Sequence, residues 1–246
     1  MSHPSQTVDY FNQTAPAWSD KYLGRGHFKT RLETVLAWIQ QQALPKNSRI
    51  LDFGCGSGVF INALVGQGFT VTGVDASAGM IEASELFLSQ NQPNAKSQYQ
   101  LEVIDSQSFQ GQYQANTYTG VCCLGVLEYV ENDTALLKTL SQNVDPNGFV
   151  ILSVPNQNSL LRHIEQFVFQ NPGFFKALGL FSHLTGPDSY LNFQKHQYKI
   201  AHLDARMAQM GFTRHQLRYH VAPGPLRVLE GLFWVGMSAI ALYRRS

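Results

Sequence analysis

The chain is 246 residues long, more than one minimal domain needs and less than two full ones fill, so a single α/β domain with a modest insertion is expected. Charged residues make up 14% of it and hydrophobic ones 44%, for a formal net charge of +1. No long Lys/Arg run supplies the electrostatic footprint that a nucleic-acid partner requires. The three cysteines are Cys55, Cys122 and Cys123; an odd count with two adjacent members suits neither a disulfide framework nor metal-ligand spacing, and a cytoplasmic protein without a bound metal is expected.

Met1 to Tyr10 lacks the basic and apolar regions of a secretory signal. Asp9 to Tyr22 carries Tyr10, Phe11, Trp18 and Tyr22 with Pro16 between them and reads as a short helical arm, within a segment of residues 1–27. Phe28, Leu32, Val35, Leu36 and Ile39 recur at helical spacing until Pro45. The period then changes. Arg49 to Phe53 is a strand, Ser57 to Leu64 a helix, and Phe69 to Val74 a second strand. Ser77 can cap a helix that runs to about Leu88. Tyr99 to Ile104 and Tyr118 to Cys123 are the third and fourth strands. Asp133 begins a helix with Leu136, Leu137 and Leu140. Asp145-Pro146-Asn147-Gly148 is a turn before a fifth strand, Phe149 to Val154.

From Asn156 to Tyr190 the alternation stops. Leu160, Leu161, Ile164, Phe167, Phe169, Phe174 and Phe175 lie in this stretch, which reads as an apolar helical insertion (residues 157–199) set above the sheet as a lid. Ile200 to Met210 is a late helix, with Gly211 as its C-cap. Phe212 to Val221 and Met237 to Tyr243 close residues 200–246 as an antiparallel pair. The apolar run Gly231 to Tyr243 is shorter than the about 20 residues a membrane-spanning helix needs. Strands alternating with helices imply a Rossmann-like sheet of seven strands, mostly parallel, with helices on both faces and an antiparallel last strand. Ligands bind such sheets at the carboxyl ends of the strands.

Those ends carry the chemistry. Gly54-Cys55-Gly56-Ser57-Gly58 follows a strand and opens a helix. Its glycines permit a tight turn and close approach of a ligand to the backbone, and the helix start favours an anionic or polar group. Asp75 ends the second strand, where an ionised carboxylate can accept both hydroxyls of a ribose. Asp105 ends the third. A dinucleotide fingerprint needs a sixth-position glycine. That position is Val59 counted from Gly54 and Ile61 counted from Gly56, so a nicotinamide-dependent oxidoreductase fits poorly.

Asp52 to Gly58 resembles the acidic-x-Gly-x-Gly-x-Gly motif of class I S-adenosylmethionine-dependent methyltransferases. Val71 to Ser77 with Met80-Ile81 is similar to the family's second motif, Leu124 to Val130 to the segment after its fourth strand, and Pro146 to Phe149 to the turn before its fifth. The likeness covers residues 45–156 and is nearest to the small-molecule group that includes quinone-biosynthesis methyltransferases. It implies S-adenosylmethionine as cofactor, with S-adenosylhomocysteine as product. Gly54, Cys55 and Gly56 would line the methionine portion, Asp75 would hold the ribose, and Ala76 and Met80 would pack on adenine. Asp105 and Ser106 would meet the adenine amine, and Leu124 the methionine side. Tyr10, Trp18 or Tyr22 would close over the cofactor. Tyr129 stands where the family often has His.

The expected reaction is methyl transfer to a small aromatic or lipophilic acceptor, with an oxygen favoured as the methylated atom. A non-catalytic module that binds the same cofactor would share every cofactor residue. His196 is the first candidate for a general base and Tyr198 the second, ahead of His163, His183 and His202. A peripheral membrane contact, through the insertion or through Pro225 to Val235, is a further expectation.

Overall fold

The five runs become strands: the central ones are covered on both faces, whereas the third, where Gln100 and Val103 are exposed, lies at the edge of the sheet. In a computed structural model, which describes residues 4–23, 26–112, 117–173, 189–220 and 232–245, they form β1 (Arg49–Phe53), β2 (Thr70–Asp75), β3 (Tyr99–Val103), β4 (Tyr118–Leu124) and β5 (Val144–Pro155). All pair in parallel. β6 (Phe212–His220) and β7 (Ser238–Arg245) complete a seven-stranded sheet in the order β3-β2-β1-β4-β5-β7-β6, with β7 antiparallel to both neighbours.

Side chains alternate across this sheet with period two. Leu51, Val121, Cys123, Val150 and Leu152 face one core, which holds Phe109 of α5 (Ser106–Gln112), Leu136, Leu137 and Leu140 of α6 (Asp133–Gln142), and Leu203 and Met207 of α8 (Ile200–Gln209). Ile50, Cys122 and Ile151 face the other. There they meet Val35 and Ile39 of α2 (His27–Gln41), Phe60, Ile61 and Leu64 of α3 (Val59–Gly66), and Leu88 of α4 (Ala78–Asn91). Adjacent Cys122 and Cys123 therefore point to opposite cores; both are free and buried, and burial pushes their thiols well above the ordinary range.

Strand order reverses between β1 and β4, so the carboxyl ends of these strands open on a crevice. Over it lie α1 (Pro4–Thr14), a 3-10 segment (Ala15–Tyr22) and α7 (Leu160–Gln170), which follows β5. One element differs from the sequence reading. Asp145 to Gly148 lies inside β5 as an irregularity: Tyr118 pairs with Val144 and Gly120 with Phe149. Pro146 has no N–H to give the ladder, so the chain bulges there and rejoins its partner.

Candidate active site

The glycine turn is shaped by what packs on it. Gly54 has φ +77, and a Cβ there would collide with Val126, which follows β4. The turn is fastened to β2 by the Gly54 and Cys55 N–H groups, which donate to the Val74 carbonyl at 2.7 and 3.0 Å. The Asp75 carboxylate completes the clasp. Its Oδ2 accepts from Gly56 N–H (3.0 Å) and its Oδ1 from Ser77 N–H (2.9 Å). Burial raises its pKa, while these backbone donors pull it back.

A cavity of about 620 Å³ opens above this clasp. Gly54, Cys55, Gly56, Asp75, Ala76, Met80, Asp105, Ser106 and Leu124 all line it, so the structure brings every one of these sequence-predicted positions to one space. Asp105 also caps α5, its Oδ1 accepting from Gln107 and Ser108 N–H at 2.8 Å each. Tyr10, Trp18 and Tyr22 of the N-terminal arm form another wall. Asn12 docks the arm: its Oδ1 accepts from Ser77 Oγ–H (2.7 Å) and Gly79 N–H (3.0 Å). Ser77 Oγ in turn accepts from Met80 N–H (3.0 Å), capping α4.

Charge is unevenly spread around the cavity. Lys21, Arg31 and Arg162 line it together with His27. The Lys21 ammonium lies 3.3 Å from the centre of the Trp18 ring; burial and Arg31 lower its pKa to about 8. Partial burial in the wall, with Arg31, Arg162 and Lys21 nearby, lowers that of His27 to about 4. Arg162 is held by three groups: its Nε donates to the Met237 carbonyl (2.9 Å), and its Nη1 to Glu165 Oε2 (3.1 Å) and Tyr190 Oη (2.7 Å). Two carboxyls are buried close by. Burial and the nearby Asp75 raise Asp52 to about 8. Glu128 is raised by burial to about 7, against the pull of its own N–H, Arg162 and Arg31.

His196 lies apart from the other predicted positions. It is absent from the cavity lining, where its neighbours Gln194 and Lys195 are present. Its Nε2 lies 2.9 Å from the Val130 carbonyl. Tyr198 is buried outside the cavity too, with its Oη 2.8 Å from Asp133 Oδ2 and 3.1 Å from the Leu127 carbonyl. His163 and His202 are exposed, and His183 lies outside the described residues, as do residues 174–188 of the insertion and 225–231 of the late apolar run. No group of His, Cys, Asp and Glu suited to a metal was found among the described residues, and none of their helices is long and apolar enough to cross a membrane. Sequence reasoning missed Asn12, His27, Arg31, Glu128, Arg162 and Tyr190. Of these, Glu128 alone carried a signal, its place in the segment after β4.

The fold and the glycine–aspartate clasp define a methyltransferase domain. The family model of that description matches residues 27–217, and the chain belongs to this family. Its curated relatives include the mitochondrial ubiquinone biosynthesis O-methyltransferase of Schizosaccharomyces pombe, 33% identical over 159 residues that cover 63% of this chain and 57% of the relative. The ubiquinone biosynthesis O-methyltransferase of Coxiella burnetii is 31% identical over 124 residues, half of each chain. The chain thus matches 50–57% of the length of these relatives. Among solved structures, the magnesium protoporphyrin IX methyltransferase of Synechocystis PCC 6803, crystallised with bound SAH, superposes over 99% of both chains with a TM-score of 0.68 at 21% identity. That likeness establishes the fold.

Replacing Asn12 with Ala leaves the Ser77 hydroxyl and Gly79 N–H without their acceptor; chemical denaturation should show a loss of about 1–2 kcal/mol, while Asn12→Asp, which keeps the acceptor at a helix start, should stay near wild type. The buried carboxyls give a pH signature. Asp52 binds its proton more tightly folded than unfolded, so its contribution is full at low pH and is lost as pH rises through about 8. Glu128 acts in the same sense through about 7. The depressed His27 opposes them only below its unfolded value of 6.5. Denaturation midpoints should therefore drop as pH rises from 6.5 toward 8, where the lowered Lys21 begins to oppose the loss, and Asp52→Asn should flatten that drop. A midpoint that rises across the window contradicts the assignment.

Proposed function

We propose that this protein binds S-adenosylmethionine in the cavity above the glycine turn and transfers its methyl group to an oxygen of a small aromatic or lipophilic acceptor. The observation that carries this reading is the convergence of the glycine turn, Asp75, the β3 end and the β4 end on one 620 Å³ cavity. The donor set suits the molecule. Asp75 retains lone pairs for ribose hydroxyls beyond the two N–H groups it already accepts. Ala76 and Met80 offer an apolar face for adenine, with Asp105 and Ser106 beside it. Arg31, whose guanidinium would meet a Cβ on Gly125 at 2.7 Å, supplies positive charge for an amino-acid carboxylate beside Gly54, Cys55, Gly56 and Leu124.

When bound, S-adenosylmethionine supplies a methyl group already activated by the sulfonium charge. The chain's task is to orient the acceptor and keep water out, and orientation alone can contribute roughly 7–11 kcal/mol. The arm aromatics and α7, a part of the proposed lid at residues 157–199, close the cavity from above. Calorimetry with S-adenosylhomocysteine should give saturable binding, weakened about 10- to 100-fold by Asp75→Ala, the loss expected when a charged hydrogen-bond acceptor is removed. Absence of heat with the wild-type protein overturns the reading. Methylation of phenols or quinols separates an enzyme from a binding module that uses the same residues.

A peripheral membrane contact is a second reading with its own support. Leu160, Ile164 and Phe167 form an exposed stripe on α7, and Leu232, Phe233 and Trp234 are exposed as well. The two groups adjoin, because Leu160 N–H donates to the Trp234 carbonyl at 2.7 Å. Such a patch, on the same helix whose Arg162 and Glu165 line the cavity, suits an interfacial enzyme. In flotation with phosphatidylcholine vesicles, the protein should rise with the lipid and Phe167→Ser/Trp234→Ser should stay below; equal behaviour of the two proteins removes this reading.

A further inference from the structure

Glu128 is buried at the cavity wall with one oxygen unused. It sits in the 3-10 turn Leu127–Tyr129 beyond β4, is 9% exposed, and lines the cavity. Its Oε2 has no hydrogen-bond partner among the described residues. The turn is well supported. Val126 fills the space that Gly54 leaves above the glycine turn, and on the other side the Glu128 carbonyl accepts from Lys195 N–H (2.7 Å) and His196 N–H (3.2 Å). A buried carboxyl oxygen without a partner is costly to maintain. A ligand that donates a hydrogen bond on entering the cavity would remove that cost.

Several other titratable groups in the wall are poorly placed for proton removal. Glu165 is engaged by Arg162 and Tyr190, Glu131 pairs with Lys195, and Asp75 holds two backbone N–H groups. His27, lowered to about 4, is too weak a base. We propose that Glu128 is the catalytic base that receives the proton of the acceptor hydroxyl, an assignment that rests on the methyltransferase reading above. Glu128 Oε2 gains that proton while the hydroxyl oxygen's freed electron pair forms the new bond to the methyl carbon. The electrons of the breaking carbon–sulfur bond stay on sulfur, and the proton passes from Glu128 to solvent after product leaves. The acceptor therefore carries a hydroxyl group, and the arm aromatics that line the cavity favour a ring beside it.

The surroundings poise Glu128 for this exchange. Arg31 from α2 and Arg162 from α7 favour its charged form, while burial opposes it. A carboxyl that titrates near 7 can both accept and release a proton at neutral pH.

The test compares the full chain with its Glu128→Gln variant, using 4-nitrophenol as the probe in the presence of saturating S-adenosylhomocysteine. Ionised Glu128 repels the phenolate, so above neutral pH Glu128→Gln should bind it about tenfold more tightly, read from the phenolate absorbance band. With S-adenosylmethionine and catechol, Glu128→Gln should lower kcat about 100-fold or more, and Glu128→Asp should recover part of that loss together with the wild-type pH inflection. Equal nitrophenol affinity and pH dependence in wild type and both variants, or no nitrophenol binding by any of them, overturns the assignment. Calorimetry on the same samples keeps the two readings apart. Failure of wild type to bind S-adenosylhomocysteine removes the methyltransferase reading itself, whereas normal binding with unaltered phenol behaviour removes Glu128 alone. Should Glu128→Gln not fold, Glu128→Asp carries the comparison, with an inflection at the wild-type pH expected and a flat profile contradicting it.

Discussion

Asp75 accepts the Gly56 and Ser77 N–H groups on its two carboxylate oxygens, and through them the glycine turn after β1 and the start of α4 move as one. Ser77 passes the constraint outward. Its hydroxyl caps Met80 N–H and donates to Asn12, so the arm over the cavity is tied to the same carboxylate by a short chain of hydrogen bonds. Val126 adds a third anchor, since it occupies the space a side chain at Gly54 would need. The ends of β1, β2 and β4 are thereby locked around one space.

That space is divided by charge. Lys21, Arg31 and Arg162 crowd part of the wall strongly enough to help depress His27. Elsewhere two carboxyls, Asp52 and Glu128, are buried where desolvation outweighs the nearby guanidinium groups. Apolar and aromatic side chains from the arm fill the remainder. Charges held in a water-poor cavity interact more strongly than in solvent, which suits a reaction that consumes a positive charge and releases a proton.

Much of this was legible in the sequence, for identifiable reasons. β1, β4 and most of β5 are covered on both faces, so they leave unbroken apolar runs such as Val121-Cys122-Cys123. The glycine turn and Ser77 have strong local signatures, because positive φ and helix capping each restrict residue choice. The Pro146-Gly148 signal marked a break in the ladder, but a turn and a bulge share that signal. Arg31, Arg162 and Asn12 were invisible because each acts through tertiary contacts between distant segments, the two arginines at the cavity and Asn12 at the start of α4. The ring direction of His196 was invisible for a related reason: it is set against the Val130 carbonyl, far away along the chain.

Hydrogen–deuterium exchange of the full chain, with and without saturating S-adenosylhomocysteine, tests the central claim most directly. Slower exchange should appear together at residues 54–58, 75–80 and 7–22, because one ligand would stiffen the turn, the Asp75 clasp and the arm tied to it. Unchanged exchange at the glycine turn, or protection confined to a surface remote from Asp75, would contradict the account.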